Sequence, residues 1–271
     1  MGEERVLVDL SRWEEDLASY VSNDFEKMYE LWVQDQFQKL PKHVQQRFFN
    51  GVDQWLIYTY TFLQGTQMQQ DAYDRLLQIG RTYDETINTV EDLSRLSIEK
   101  QTYLANQHVA KNRLYSFVQG GMAGSGGWFL LGVDIPLMVG LNLRTIQLIG
   151  TSFGYNMHNP IEMLLALKVF HAGALPKRLR YEAWQELKGN VNEYDSFMGE
   201  HEELTNPTWA EQPLKSIFKT LVIVLSRRKM IQGLPIVSVG IGATINYKTA
   251  KDVSDFATRF YQYRSIQSSN K

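Results

Sequence analysis

The chain has 271 residues, no cysteine and a net charge of −2, with 44% hydrophobic and 21% charged residues. That length can bury a useful core, and the missing cysteine excludes disulfides, thiolate metal sites and a cysteine nucleophile, while the slightly acidic balance argues against a nucleic-acid surface. Charge is uneven: residues 1–40 hold ten acids and four bases, whereas residues 211–271 hold three acids and ten bases.

The start, MGEERVLVDLSRWEEDLASY, is acidic and amphipathic and lacks the basic stretch and apolar core of a secretory signal, so a reducing, cytoplasmic setting is expected. Trp13, Leu17, Tyr20, Val21, Phe25, Met28 and Trp32 recur at helical spacing behind a capping box of Ser11 and Glu14, which predicts a long first helix. Pro41 opens a second, with a stripe of Val44, Phe48, Val52, Trp55, Leu56 and Phe62 and a stop at Gly65. Shorter helices are expected over 68–79 and 84–96 and a longer one over 98–117. No segment shows sustained period-two alternation.

Residues 114–133, LYSFVQGGMAGSGGWFLLGV, form the longest charge-free run and contain six glycines. They read as a glycine-rich connection, 119–127, leading to a helix that Asp134 caps and Gly154 stops. Asn159-Pro160-Ile161-Glu162 announces the next helix, ending near Gly173, and Pro176 opens another ending at Gly189. Residues 190–212 are polar and read as a loop or short helix. Helices over 213–230 and 249–267 then flank a second charge-free run, Met230–Tyr247.

The fold expected is all-α, a multi-helix bundle with the two glycine-rich apolar segments packed at its centre. Gly240 and Gly242 would then mark a close helix contact. Spanning a membrane takes about 20 apolar residues. Glycines, Gln119 and two serines dilute the first run, and Pro235 and Asn246 interrupt the second, so each suits a packed core or a bilayer interface better than a span. At such an interface Trp128 and the cluster Arg227, Arg228 and Lys229 would be the membrane contacts.

GVDIPLMVGLNLRTIQLIGTSFGYN at 132–156, NPIEMLLALKVF at 159–170 and LPIVSVGIGATINYKTAKDVSDFATRFYQYR at 234–264 together resemble the EcsC protein family. The shared elements are an Asp-Ile-Pro opening, an apolar helix bearing an Arg, a closing Gly-Tyr-Asn, and a late Leu-Pro segment with spaced glycines, an Asn and an Arg-bearing helix. The resemblance covers roughly 98–268, which suggests an N-terminal helical region, 1–97, packed on an EcsC-like helical domain, 98–271. It implies an accessory role beside an ABC transport system, because the family's namesake is encoded next to one. It carries over no catalytic set. Asp134, Arg144, Tyr155 and Asn246 are the motif positions that suit a shared structural or ligand-binding role.

Arg144 is the most anomalous of these, since its helix is apolar on nearly every face and an unpaired buried cation is costly. It therefore needs water or a carboxylate such as Asp134 or Glu162, or it holds an anionic ligand or lipid headgroup. Ala123-Gly124-Ser125-Gly126-Gly127 lacks the strand that a nucleophile elbow requires, and no dinucleotide or P-loop spacing occurs. His43, His108, His158, His171 and His201 never pair at metal-binding spacing, so no metal or cofactor is implied. Two functional readings remain open. One is a non-enzymatic protein acting at the cytoplasmic membrane face, with an anionic membrane surface or membrane transporter subunits as partner. The other is a small-molecule or lipid-binding protein, or a hydrolase-like enzyme, with a pocket between the glycine-rich segments.

Overall fold

The computed structural model describes residues 2–22, 24, 28, 67–123, 127–200 and 239–269. Seven α-helices are found there: α1 (Gly2–Ala18), α2 (Gln67–Tyr83), α3 (Ile98–Ala123), α4 (Gly127–Ser152), α5 (Pro160–Ala174), α6 (Arg180–Glu200) and α7 (Val239–Ser269), with 3-10 turns at Glu91–Arg95 and Lys177–Leu179. Among the described residues there is no strand, so the fold class is all-α.

α3 and α4 form a hairpin, and α7 lies along α3 while also packing on α4, α5 and α1. The hydrogen bonds fix the direction. Ser265 donates to Gln101 (2.9 Å), Gln262 to Thr102 (3.1 Å) and Arg113 to Ser254 (3.2 Å), so α3 and α7 run antiparallel. At a rise of 1.5 Å per residue, Asn246 lies about 12 Å past the level of Arg113, beside the last turns of α3. The backbones of residues 114–123 of α3, 127–133 of α4 and 239–247 of α7 therefore lie toward one end of the bundle.

The main core is built from α4, α5, α6 and α7, with Ile146, Phe153, Leu165, Phe170, Trp184 and Phe260 among its fully enclosed members. Trp13 of α1 meets Trp184 edge-on at 5.0 Å and Phe256 at 5.6 Å, so an aromatic cluster fastens α1 across α6 and α7. A smaller cluster of Leu76, Ile87, Leu93, Leu104 and Leu148 seats α2.

Several boundaries differ from the expectations. Ser11 is not a cap: α1 begins nine residues earlier, with Glu3 and Glu4 in the first turn complementing the helix dipole. Glu14 instead reaches α6, accepting from Gln185 (2.9 Å) and pairing with Lys188. Burial works to raise its pKa, but the hydrogen bonds from Lys188 and Gln185 outweigh that and hold the carboxyl below its ordinary value. Residues 84–90 are not helical, because Asp92 accepts from the backbone N–H groups of Asn88 and Thr89, both at 2.9 Å, and side-chain capping of this kind competes with helix.

Asp134 is no N-cap either. α4 starts at Gly127, two turns before it, and α3 runs on through Gly120 and Gly121 to Ala123. The connection expected over 119–127 thus shrinks to at most 124–126, which lie outside the described residues. α6 continues past its expected stop at Gly189 to Glu200, into the stretch expected to be a loop or short helix. The helices expected at 41–65 and 213–230 lie outside the described residues, as do Arg227, Arg228, Lys229 and His201. Gly240 and Gly242 fall in the first turn of α7, and their surroundings are also outside it. The described close approach of helix backbones lies at Gly173 of α5, where an added Cβ would stand 2.9 Å from Val253 Cα.

Candidate functional site

Two of the sequence-predicted residues, Tyr155 and Arg144, stand in different surroundings. Tyr155 follows a tight helix stop. Gly154 has φ +87°, its N–H donates to Thr151 and that of Tyr155 to Gly150 (3.1 Å), closing α4 with a Schellman motif. A side chain at 154 would be strained by that φ and would meet the Ser94 backbone N at 2.7 Å. The turn directs the Tyr155 ring over the guanidinium of Arg264, 3.9 Å from the ring centroid.

Arg264 is held from its other side by Glu162. Both guanidinium nitrogens donate to the carboxylate, at 2.7 and 3.0 Å, in a bidentate fork. Only 5% of Arg264 and 8% of Glu162 is exposed. Burial lowers the arginine's proton affinity, yet the facing carboxylate more than offsets this and its pKa rises. Tyr261 packs against Tyr155 at 5.4 Å, and burial, with Glu162 adding to it, raises its hydroxyl far above the ordinary value. This enclosed cluster joins α5 to α7 and is closed to solutes. Glu162 therefore pairs with Arg264, and the expectation of Glu162 facing Arg144 does not hold. A carboxylate and a guanidinium that both sit in apolar stretches, EMLLALKVF and FYQYRSI, were the signal for this pair, though spacing alone could not match partners 102 residues apart.

Arg144 is half-buried on α4 and faces α3, where Tyr115 and His108 lie within its electrostatic reach. Burial lowers its pKa, and Tyr115 opposes that. Asn246 is fully enclosed on α7. The Asp134 and Trp128 side chains lie outside the described set, although both backbones belong to α4.

Burial, assisted by Lys111 and Arg144, pushes the His108 imidazole down from 6.5 to about 4. Burial also lowers His171, with Glu186 acting the other way. A folded pKa below the unfolded one means that the unfolded chain takes up more protons between pH 6.5 and 4, so stability is fully present above 6.5 and falls as the pH drops through that window. Urea midpoints should be flat from pH 8 to 7 and decline toward pH 4.5, and His108→Gln should remove part of the decline. An unchanged slope in that variant would contradict the assignment.

A cavity among the described residues lies elsewhere. A groove of about 930 Å³ opens between α1, α3, α7 and the Lys177–Arg180 turn, with Trp13 and Phe256 as its apolar surfaces and Arg5, Asp9, Glu99 and Arg259 as charged ones. Arg144, Tyr155 and Asn246 do not line it. Among the described residues no group of three or more His, Asp or Glu could hold a metal ion, and no helix is long and apolar enough to cross a membrane.

Comparison with known proteins gives one consistent relationship. A model of the EcsC protein family matches residues 4–266, so the relationship takes in the N-terminal third, where no motif was legible. "Uncharacterized protein YdbA" of Bacillus subtilis (strain 168) is 24% identical over 261 residues, 96% of this chain and 91% of the relative. "Protein EcsC" of the same organism is 18% identical over 241 residues, 89% of this chain and 92% of the relative. No solved structure matches the chain.

Proposed function

We propose that this chain, which belongs to the EcsC protein family, is a non-enzymatic accessory protein that associates peripherally with an anionic membrane face, with membrane transporter subunits as its protein partner. One observation carries the reading. The helices bearing the two charge-free glycine-rich segments gather at one end of the bundle, and none of the described helices is long and apolar enough to span. An apolar end that does not span suits the interfacial layer of a bilayer, where nearby cations add about 1 kcal/mol each.

Purified protein should sediment with vesicles containing phosphatidylglycerol and far less with pure phosphatidylcholine. High salt should release it, because headgroup attraction is screened over a Debye length of about 8 Å at physiological ionic strength. Replacing Arg227, Arg228 and Lys229 with glutamine should weaken it as well. Equal recovery in both supernatants would remove the lipid reading and leave co-purification with transporter subunits to test the protein partner.

The groove favours a second reading, in which a small polar molecule binds between α1, α3 and α7. A bound species found by native mass spectrometry, lost in Arg259→Ala, would move the preference to it.

A further inference from the structure

We propose that the protein lies on an anionic bilayer through the outer face of the α3–α4 hairpin, on the half nearer its turn. There Leu114, Tyr115 and Leu137 enter the headgroup boundary, while Lys111 and, farther from the turn, Arg144 meet lipid phosphates. This rests on the membrane reading above and gives it a location outside the residues that reading had named.

Leu114 is 63% exposed, Tyr115 56% and Leu137 49%, and the three come together on two adjacent helices. Their exposure follows from the helix period. Lys111, Leu114 and Tyr115 are spaced i, i+3, i+4 and share one stripe of α3, whereas Ala105, Val109 and Ser116 on the other side of that helix are buried. Leu137 and Arg144, seven apart, share a stripe of α4, opposite the buried Val139, Asn142 and Ile146. The two stripes are neighbours, since Arg144 lies within electrostatic reach of both Tyr115 and His108, and His108 within that of Lys111. Counted from the ends facing the turn, Tyr115 is eight residues from Ala123 and Leu137 ten from Gly127, or about 12 and 15 Å, so they stand at nearly the same height.

Charge selects the occupant. The two helices, 26 residues each, contain two acids, Glu99 in the first turn of α3 and Asp134. Lys111 and Arg144 both lie farther from the turn than the three apolar side chains, Glu99 stands at the far end of α3, and Asp134, three residues before Leu137, is the single acid whose backbone lies on this half. A second copy of the chain would set these cations against themselves. A bilayer rich in anionic lipid supplies negative charge and a shallow apolar layer together.

The absence of cysteine permits single-site labelling. Leu114→Cys and Leu137→Cys, each carrying an environment-sensitive nitrobenzoxadiazole probe, should brighten and shift to the blue with phosphatidylglycerol vesicles but not with phosphatidylcholine vesicles. Val8→Cys on α1, exposed at 56%, should do neither. The triple variant Leu114→Ser, Tyr115→Ser, Leu137→Ser should keep its far-UV spectrum and bind anionic vesicles roughly tenfold less well, and Lys111→Glu roughly fivefold less well or worse. If the unsubstituted protein sediments with anionic vesicles while the probes at 114 and 137 stay in water and the triple variant binds normally, this surface is wrong and the membrane reading stands. If the unsubstituted protein binds neither vesicle type, both fall together.

Discussion

Replacing Glu162 with alanine should cost the protein about 3–5 kcal/mol of stability, the largest loss expected from any single carboxylate among the described residues. The carboxylate accepts both bonds of the Arg264 fork in a site where 5% of that arginine is exposed. Removing it leaves a guanidinium with the Tyr155 face on one side and a hole on the other, and desolvation then goes uncompensated. For a chain of this size each kcal/mol moves the melting temperature by about 2–4 °C, so a drop of roughly 10 °C is expected in thermal unfolding. The companion experiment separates the pair's net worth from the penalty of breaking it. Glu162→Leu with Arg264→Met should recover most of the loss, because an apolar pair of similar volume has no charge to desolvate. A single Glu162→Ala variant within about 1 kcal/mol of the parent would show that the arginine reaches solvent readily and that the pair is no clamp.

Gly173→Leu should be nearly as damaging, at about 3 kcal/mol or more. A Cβ at 173 would stand 2.9 Å from Val253 Cα and 3.2 Å from Phe256 Cβ. The nearest obstacle is the backbone of α7, which cannot swing aside as a side-chain tip does. Gly189 supplies the control, since an added Cβ there meets nothing within 4 Å. Gly189→Ala should stabilise slightly, by up to about 1 kcal/mol, through helix propensity alone. Equal melting curves for Gly173→Leu and the parent would mean that α5 and α7 separate easily, which their shared core argues against.

The parts of the fold legible in the sequence are those set by local chemistry. Asn159 accepts from the Ile161 N–H at 2.9 Å with Pro160 following, and Gly154 takes the positive φ that its place after α4 suggested. The illegible parts are those where two local signals compete. Ser11 with Glu14 satisfies the spacing of a capping box, but burying Leu10 and Leu17 on one continuous face keeps α1 helical through it. Asp134 and Pro136 look like a helix start, yet an interior proline removes one backbone bond, less than a break in this apolar stretch would lose. At the candidate sites, residue types identified Arg144 and Tyr155 as unusual, while their neighbours, His108 and Tyr115 for Arg144 and Arg264 for Tyr155, lie far away in the chain and could be found only by folding.

The position of α7 in the chain bears on how the protein is made. Every described helix it packs against, α1, α3, α4, α5 and α6, precedes it, and its fastenings reach back 102 residues to Glu162 and 142 from Asp255 to Arg113. During translation α4 and α5 emerge with the surfaces of Val139, Ile146, Leu165 and Phe170 lacking the helix that closes them. They must wait, open to water or to a chaperone, until residues 239–269 leave the ribosome. Long-range closure of this kind slows folding and exposes a nascent chain to aggregation. A stall or nick between α6 and α7 would therefore release an unclosed bundle with its apolar interior still bare.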